Sequence, residues 1–302
     1  MTAPSTAAVV PPRHSIVLGM LFMCLASTLF PVMNGVVQVL TQRYPSDQIV
    51  WLRTGGHLLF VLALFAPKFG VVRLVSTAAP KWQVARSVML LISTLCFFTG
   101  VKYLPLAKAA SISFTAPFIV ALLAWPVLGE RVSLPRLAGC VAGFVGVLVV
   151  IRPGSDVFHW ASLLILASAV SYATYQIFTR RVAGQDRPET SAVYSALVGT
   201  ILMSFVAPWR WVAIQSIGDG LLFASLGVLG GLGHYCVARA MSYAPASIVA
   251  PFQYWQMIGS VIVGYLLMNT MPDAVTWLGA AIIIGAGLFI GWRETRENRG
   301  AA

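Results

Sequence analysis

Six polar side chains form three spaced pairs along this chain. Thr94 precedes His234 by 140 residues, Ser113 precedes Gln253 by the same interval, and Asn34 precedes Tyr175 by 141. All six sit inside long apolar stretches, where a polar group is costly unless it is satisfied, so they are natural site candidates. Hydroxyl, amide and imidazole groups donate and accept hydrogen bonds, and imidazole also takes a proton near neutral pH. Aromatic and further amide groups accompany them. The expected substrate-binding set is Asn34, Thr94, Ser113, Phe114, Tyr172, Tyr175, His234, Gln253, Tyr254, Trp255 and Gln256. Pro31, Pro117 and Pro251 lie within the same apolar stretches, where each removes a helix hydrogen bond and is expected to act as a hinge. Packing is the other reading. Tyr172 and Tyr175 can bond neighbouring helices, a lone intramembrane histidine can tie two helices together, Trp255 can face lipid, and each proline can simply improve a fit.

Chemistry beyond recognition finds no support. The nine acids (Asp47, Glu130, Asp156, Asp186, Glu189, Asp219, Asp273, Glu294, Glu297) all lie in loops, tails or ends of apolar stretches. A mid-membrane carboxylate for proton or sodium coupling is therefore missing, and a strongly bound cation is disfavoured. Coupling through His234, or plain exchange, stays open. No phosphate-binding glycine loop is present, no His/Cys/Asp/Glu set has metal spacing, and Ser225 with His234 lacks a nucleophile turn. Neither enzyme, cofactor nor metal is expected. Arg53 is expected to snorkel outward or pair with a loop acid. His57 lies one turn below it on the same face, which leaves an inward path open.

The elements that carry these residues are set by composition. The chain is 58% hydrophobic and 10% charged, with mean hydropathy +0.83, which excludes an ordinary soluble domain. Ten apolar segments of roughly 17–25 residues match a hydrocarbon core of about 30 Å. They lie near 15–39, 48–66, 82–101, 106–128, 134–151, 160–179, 190–207, 219–240, 246–268 and 273–292. The net charge of +11 follows topology, because Lys and Arg concentrate in alternate loops. Both termini are placed in the cytoplasm of a bacterial inner membrane, and nucleic-acid binding is excluded. Cys24, Cys96, Cys140 and Cys236 all fall inside segments and act as small apolar residues.

The two halves repeat. Tyr103-Leu-Pro105 and Tyr243-Ala-Pro245 are 140 apart, as are Cys96 and Cys236, Ala110 and Ala250, and Gly139 and Gly279. Five segments per half force the second copy to enter the membrane inverted, which is the usual construction of secondary transporters. The expected fold is all-α: ten transmembrane helices as two inverted five-helix repeats. Residues 1–14 form a disordered cytoplasmic amino terminus, 15–152 the first repeat, 153–159 a linker, 160–293 the second repeat, and 294–302 a cytoplasmic tail. Gly139, Gly143 and Gly146 in segment five, with Gly279, Gly285, Gly287 and Gly291 in segment ten, offer close helix packing and a possible homodimer face. Gly227 and Gly231 have the same spacing in segment eight.

Leu104-Pro-Leu-Ala-Lys-Ala-Ala-Ser-Ile-Ser-Phe-Thr-Ala-Pro117, Leu128-Gly-Glu130-Arg131 and Tyr243-Ala-Pro-Ala-Ser-Ile-Val-Ala-Pro-Phe-Gln-Tyr-Trp-Gln256 resemble the EamA group of the drug/metabolite transporter superfamily. The resemblance covers essentially residues 15–292. It implies alternating access around a cavity between segments one, three, four, six, eight and nine. The Gly-Glu pattern after segment four becomes Asn269-Thr270 in the second repeat, so Glu130 has no symmetric counterpart. An uncharged, aromatic and amide-rich cavity favours export of amino acids or related neutral metabolites. Uptake of a vitamin or cofactor such as riboflavin or S-adenosylmethionine is the alternative, and a non-transporting membrane scaffold is a further one.

Overall fold

The computed structural model describes residues 13–128, 134–153, 158–269 and 271–300. The amino-terminal residues 1–12, the Gly129-Glu130-Arg131 stretch, linker residues 154–157 and Thr270 lie outside it. The described chain is helical, with no strand. The first half holds α1 (Arg13–Leu40), α2 (Ser46–Phe69), the short α3 (Val71–Val75), α4 (Pro80–Val101), α5 (Leu106–Ser113), α6 (Ala116–Leu128) and α7 (Leu134–Ile151). The second holds α8 (Ala161–Val182), α9 (Pro188–Ser204), α10 (Ile217–Tyr243), α11 (Ala246–Val249), α12 (Trp255–Met268) and α13 (Ala274–Gly300). Local sequence sets several ends. Gly70, with φ of 76°, lets α2 stop, Pro80 opens α4, and the Ser216 hydroxyl caps α10 by accepting from the Asp219 amide at 3.0 Å.

Each of the ten expected segments falls on helix, but not all are long unbroken spans. Among the described residues, six stretches are long and apolar enough to cross a membrane: Ile16–Leu40, Ser46–Phe69, Pro80–Val101, Leu106–Ala124, Ala161–Val182 and Ile217–Tyr243. Val141–Ile151 and Ala274–Phe289 are apolar but shorter. The shortfall has local causes. The helix α9 is only 17 residues long, and segment nine is cut into α11, a 3-10 turn at Ala250–Tyr254, and α12.

The repeat is visible in the packing. Helix α1 lies on α10 and α4 on α8, so the first helix of each half packs on the third of the other. The second helices, α2 and α9, meet each other, as do the fifth, α7 and α13. Exchanging the halves maps α1 against α12 onto α8 against α6, and α2 against α10 onto α9 against α4. Both fourth helices are interrupted at equivalent places: Phe114-Thr115 separates α5 from α6, and the 3-10 turn separates α11 from α12. Pro117 and Pro251 stand at these breaks, whereas Pro31 sits in unbroken α1 against Gly259.

Glycine sets the closest approaches. A Cβ on Gly227 would stand 2.5 Å from the carbonyl carbon of Gly56, so α2 and α10 touch backbone to backbone. Three of the glycines expected at a homodimer face meet groups of their own chain, Gly146 the Gly279 carbonyl, Gly143 the Phe118 ring and Gly287 the Tyr254 ring, while a Cβ on Gly285 would meet nothing within 4 Å.

Polar straps tie both ends of the bundle. At one end the Gln48 amide brackets Val212, donating to its carbonyl at 2.7 Å and accepting from its N–H at 2.9 Å. Beside it Tyr44 donates to Asp219 at 2.8 Å, and Arg43 pairs with the same carboxylate at 2.9 Å. Nearby, Thr276 and Arg152 donate to Asp273 and hold its carboxyl down at about 2. At the other end Asp186 accepts from Thr77, from the Ala78 amide at 2.9 Å and from Gln83 at 2.8 Å.

The Gly56–Gly227 contact predicts a sharp steric response. Gly227→Val should lower the detergent-solubilised protein's stability by about 1–3 kcal/mol through overpacking. Gly220→Ala, placed where a Cβ meets nothing within 4 Å, should leave thermal unfolding nearly unchanged. Equal melting temperatures for the two variants would contradict the packing described.

Candidate binding cavity

A narrow cavity of about 100 Å³ opens among α1, α2, α4, α5, α8, α10, the 3-10 turn and the start of α12. That is room for a few water molecules. Asn34, Thr94, Ser113, Phe114, Tyr172, His234, Gln253 and Gln256 line it, eight of the eleven expected residues. Three lie elsewhere. Trp255 begins α12, is 54% exposed and donates to Thr28 on the outer surface at 3.2 Å. Tyr254 is buried behind the wall, edge-on to Phe114 at 5.4 Å. Tyr175 is buried between helices, because three residues along a helix turn it about 60° from cavity-facing Tyr172.

The lining splits into donors, acceptors and rings. Thr94 and Ser113 spend their hydroxyl protons on the carbonyls of Leu90 and Ala109, at 2.8 and 2.9 Å, and so present lone pairs inward. Asn34 and Gln256 make no side-chain hydrogen bond among the described residues and are free for a ligand. Gln253 is engaged: its amide donates to Gln176 at 2.7 Å. Ser168 binds Ser93 at the hydroxyl (3.0 Å) and the carbonyl (2.8 Å), fastening α8 to α4. Phe30, Phe97 and Phe98 complete an aromatic wall with Phe114 and Tyr172.

Arg53 overturns one expectation. It neither snorkels nor meets a loop acid: it is 2% exposed and lines the cavity. The glycine-backed crossing of α2 and α10 allows this, since Arg53 lies against Gly230, where even a Cβ would stand 3.3 Å from its Nε. Its Nη2 contacts His234 Nε2 at 2.7 Å, its Nε donates to Met33 Sδ at 3.4 Å, and its guanidinium stands 5.7 Å from the Phe98 ring centre. No carboxylate reaches it among the described residues.

A second buried arginine gives the contrast. Arg86 is 0% exposed and uses all five of its N–H donors. Nε donates to Thr179 at 3.0 Å, Nη1 to Gln83 at 2.9 Å and to the Ser191 carbonyl at 2.7 Å, and Nη2 to Ser195 at 3.0 Å and Tyr175 at 3.2 Å. It binds α4, α8 and α9 together. Arg53 uses two donors, so three have no protein acceptor among the described residues, and the side chain lines the cavity. The first arginine to be satisfied is a structural clamp; the other is left with capacity for a ligand.

The contact with Arg53 also fixes the state of His234. A guanidinium cannot accept, so Nε2 must, and the ring proton of the neutral form sits on Nδ1. From there it is donated toward the Tyr175 hydroxyl at 3.3 Å, which also receives Arg86. His57 lies parallel to His234, with centroids 5.9 Å apart and planes within 5°. Neither His57 nitrogen makes a well-directed hydrogen bond, although the Ala192 backbone is close enough to interact.

Five of the six paired positions line the cavity, whereas sequence reading missed Arg86 and Gln176 and misplaced Arg53. Gln83 and Arg86, three apart in an apolar helix, were the available signal for the clamp. The cavity can recognise and hold a small molecule. It offers no nucleophile with an adjacent base, and no His/Cys/Asp/Glu group among the described residues could bind a metal.

Comparisons with known proteins follow the same outline. The pattern of the EamA-like transporter family matches residues 17–152 and 159–292, one repeat each. A riboflavin transporter from Rhizobium johnstonii is 31% identical over 296 residues, covering 97% of both chains. An S-adenosylmethionine uptake transporter from Rickettsia conorii is 30% identical, over 73% of this chain and 74% of its own. The pseudopaline exporter CntI from Pseudomonas aeruginosa is 28% identical, over 89% and 94%. A solved crystal structure shares the fold at a TM-score of 0.70 and 19% identity, covering 94% of this chain and 99% of its own.

The two arginines should separate on substitution. Arg86→Met removes a donor from each of five buried acceptors and should cost about 3 kcal/mol or more of stability, read as a large fall in melting temperature. Arg53→Met removes an unpaired buried charge and should leave the melting temperature equal to wild type or higher. A larger loss for Arg53→Met would reverse the assignment of clamp and ligand group.

Proposed function

This chain belongs to the EamA-like transporter family, and on that premise we propose that it takes up a flat heteroaromatic vitamin or cofactor of the riboflavin class. The observation that carries this reading is Arg53, with three unused N–H donors, facing Phe97, Phe98, Phe114 and Tyr172 across one cavity. An isoalloxazine ring offers a flat face for those rings and an edge of carbonyl and ring-nitrogen acceptors for the guanidinium fork. Such stacking contributes about 0.5–1.5 kcal/mol per pair beyond simple burial. The riboflavin transporter that matches 97% of the chain supports the same substrate class.

Transport on this reading is alternating access in the inner membrane, with ten crossings and both termini in the cytoplasm. The contracted cavity must widen to admit a ring system. The symmetric breaks at Phe114-Thr115 and Ala250–Tyr254 are the places where backbone rotation costs least, since helix hydrogen bonding is already interrupted there. Pro117 and Pro251 are hinges in this scheme.

One observation favours a second reading. A buried guanidinium without a carboxylate is also what a substrate carboxylate would seek. Amino-acid-type metabolites, moved outward, supply that group, and S-adenosylmethionine carries both a carboxylate and a flat base.

Reconstitution decides between them. Proteoliposomes preloaded with unlabelled compound should exchange labelled riboflavin, and Arg53→Met should lower the exchange rate by at least about tenfold, the equivalent of about 1.4 kcal/mol. Exchange with alanine, threonine or aromatic amino acids and none with riboflavin would move the assignment to the second reading.

A further inference from the structure

We propose that Asn34 is the specificity residue of the cavity: its side-chain amide pairs with the edge of a flat heterocycle on which an N–H lies beside an acceptor, and rejects the same ring when that N–H is blocked. The inference rests on the vitamin or cofactor reading above. It adds the part of the ring that is read and the residue that reads it.

Most polar side chains around the cavity are already engaged. Thr94 and Ser113 give their protons to their own helices, Ser93 and Ser168 bind each other, and Gln253 binds Gln176. Asn34 has neither its carbonyl nor its NH2 group committed among the described residues, although it lines the cavity and is 6% exposed. A buried amide without partners is costly, and the cavity is the direction from which partners can come. The equivalent position in the second half is Tyr175, 141 residues on, and there the hydroxyl meets Arg86 and His234. One polar group of the pair is thus committed and the other is open.

The backbone holds this amide in place. Pro31 lies against Gly259, and a Cβ on Gly35 would stand 2.3 Å from Val263 Cγ1, so two positions four residues apart press α1 onto α12. Phe30 and Asn34 each precede one of them by one residue, which turns both about 100° round the helix and into the cavity. Met33, the residue before Asn34, accepts from Arg53 Nε at 3.4 Å. Amide, guanidinium and the Phe30 ring therefore border one part of the cavity. Gln256 is the other uncommitted amide, but it is longer and less buried, and loses more freedom on binding.

A primary amide presents a carbonyl beside an N–H, and its complement is a planar edge with an N–H beside an acceptor. The two form parallel hydrogen bonds, as asparagine does with the edge of adenine. The isoalloxazine ring carries an imide, one N–H between two carbonyls. Asn34 takes the N–H and one carbonyl, and the second carbonyl is left for the donors of Arg53. Adenine offers the same kind of edge, an amino N–H beside a ring nitrogen. A simple amino acid has none.

The test compares riboflavin with 3-methylriboflavin, in which a methyl group replaces the imide hydrogen. Binding to the purified full-length protein in lipid nanodiscs is followed by quenching of flavin fluorescence. Wild type should prefer riboflavin by about tenfold or more. Asn34→Leu, close in size and without hydrogen-bonding groups, should lose about that factor for riboflavin, bind 3-methylriboflavin as wild type does, and so discriminate little. Asn34→Ala, read the same way, serves where the leucine variant does not fold.

Equal binding of the two flavins by wild type would overturn the proposal and leave the riboflavin reading intact. A preference for riboflavin that survives in Asn34→Leu would do the same, because a packing role weakens both ligands together. If neither flavin binds, the riboflavin reading fails, and S-adenosylmethionine is compared with its amino-dimethylated analogue. Discrimination by wild type that is lost in Asn34→Leu then upholds the proposal for adenine. No discrimination, or no binding of either compound, overturns it as well.

Discussion

Burying a guanidinium in an apolar bundle without a carboxylate is expensive, and in this protein the surrounding structure is arranged to hold one there. The effective penalty for an isolated buried ion is several kcal/mol after relaxation. Arg53 recovers part of it from a neutral imidazole, a thioether and an aromatic face. None of these neutralises charge. On the proposed reading, a ligand that enters the cavity meets the remaining deficit. Glycine is the enabling residue: the backbone contact of Gly56 with Gly227, and the bare surface at Gly230, give α2 and α10 the closeness that keeps Arg53 from the outer surface.

The second arginine shows what the fold does when it intends no vacancy. Arg86 is equally buried, yet every one of its donors is spent on α4, α8 or α9. Through Tyr175 it also steadies the far side of His234, so the clamp and the cavity share one hydrogen-bonded column. That column continues through Gln83 to Asp186 at one end of the bundle. The helices obey a two-fold exchange of halves, while the site they enclose does not. Thr94 returns its proton to its own helix, whereas its counterpart His234 engages Arg53. Symmetry thus supplies the cavity, and departures from it supply the chemistry.

Much of this was legible in the sequence because membrane helices and repeats write regular signals. The apolar segments, the 140-residue offset and the pairing of Ser113 with Gln253 led directly to the two-repeat fold and to most of the lining. Helical phase was the weaker guide. Tyr172 and Tyr175 are one turn apart, and only packing decides which faces inward. Trp255 lay in the right stretch, but the 3-10 turn before it rotates the chain and sends it outward. Arg53 was misplaced because depth along a helix was read without its partner helix, and two of the glycines that admit it, Gly227 and Gly230, are 174 and 177 residues away in the chain. The side-chain clamp of Arg86 was hidden for the same reason: four of its five acceptors belong to other helices.

The central claim is that the Arg53 fork touches the substrate. Its most direct test is the affinity of purified full-length protein for riboflavin, followed by quenching of flavin fluorescence, in wild type and in Arg53→Lys. Lysine keeps the charge and loses the planar pair of donors. The account predicts a Kd raised by about tenfold or more with an unchanged melting temperature. Equal affinity in the two proteins would contradict it.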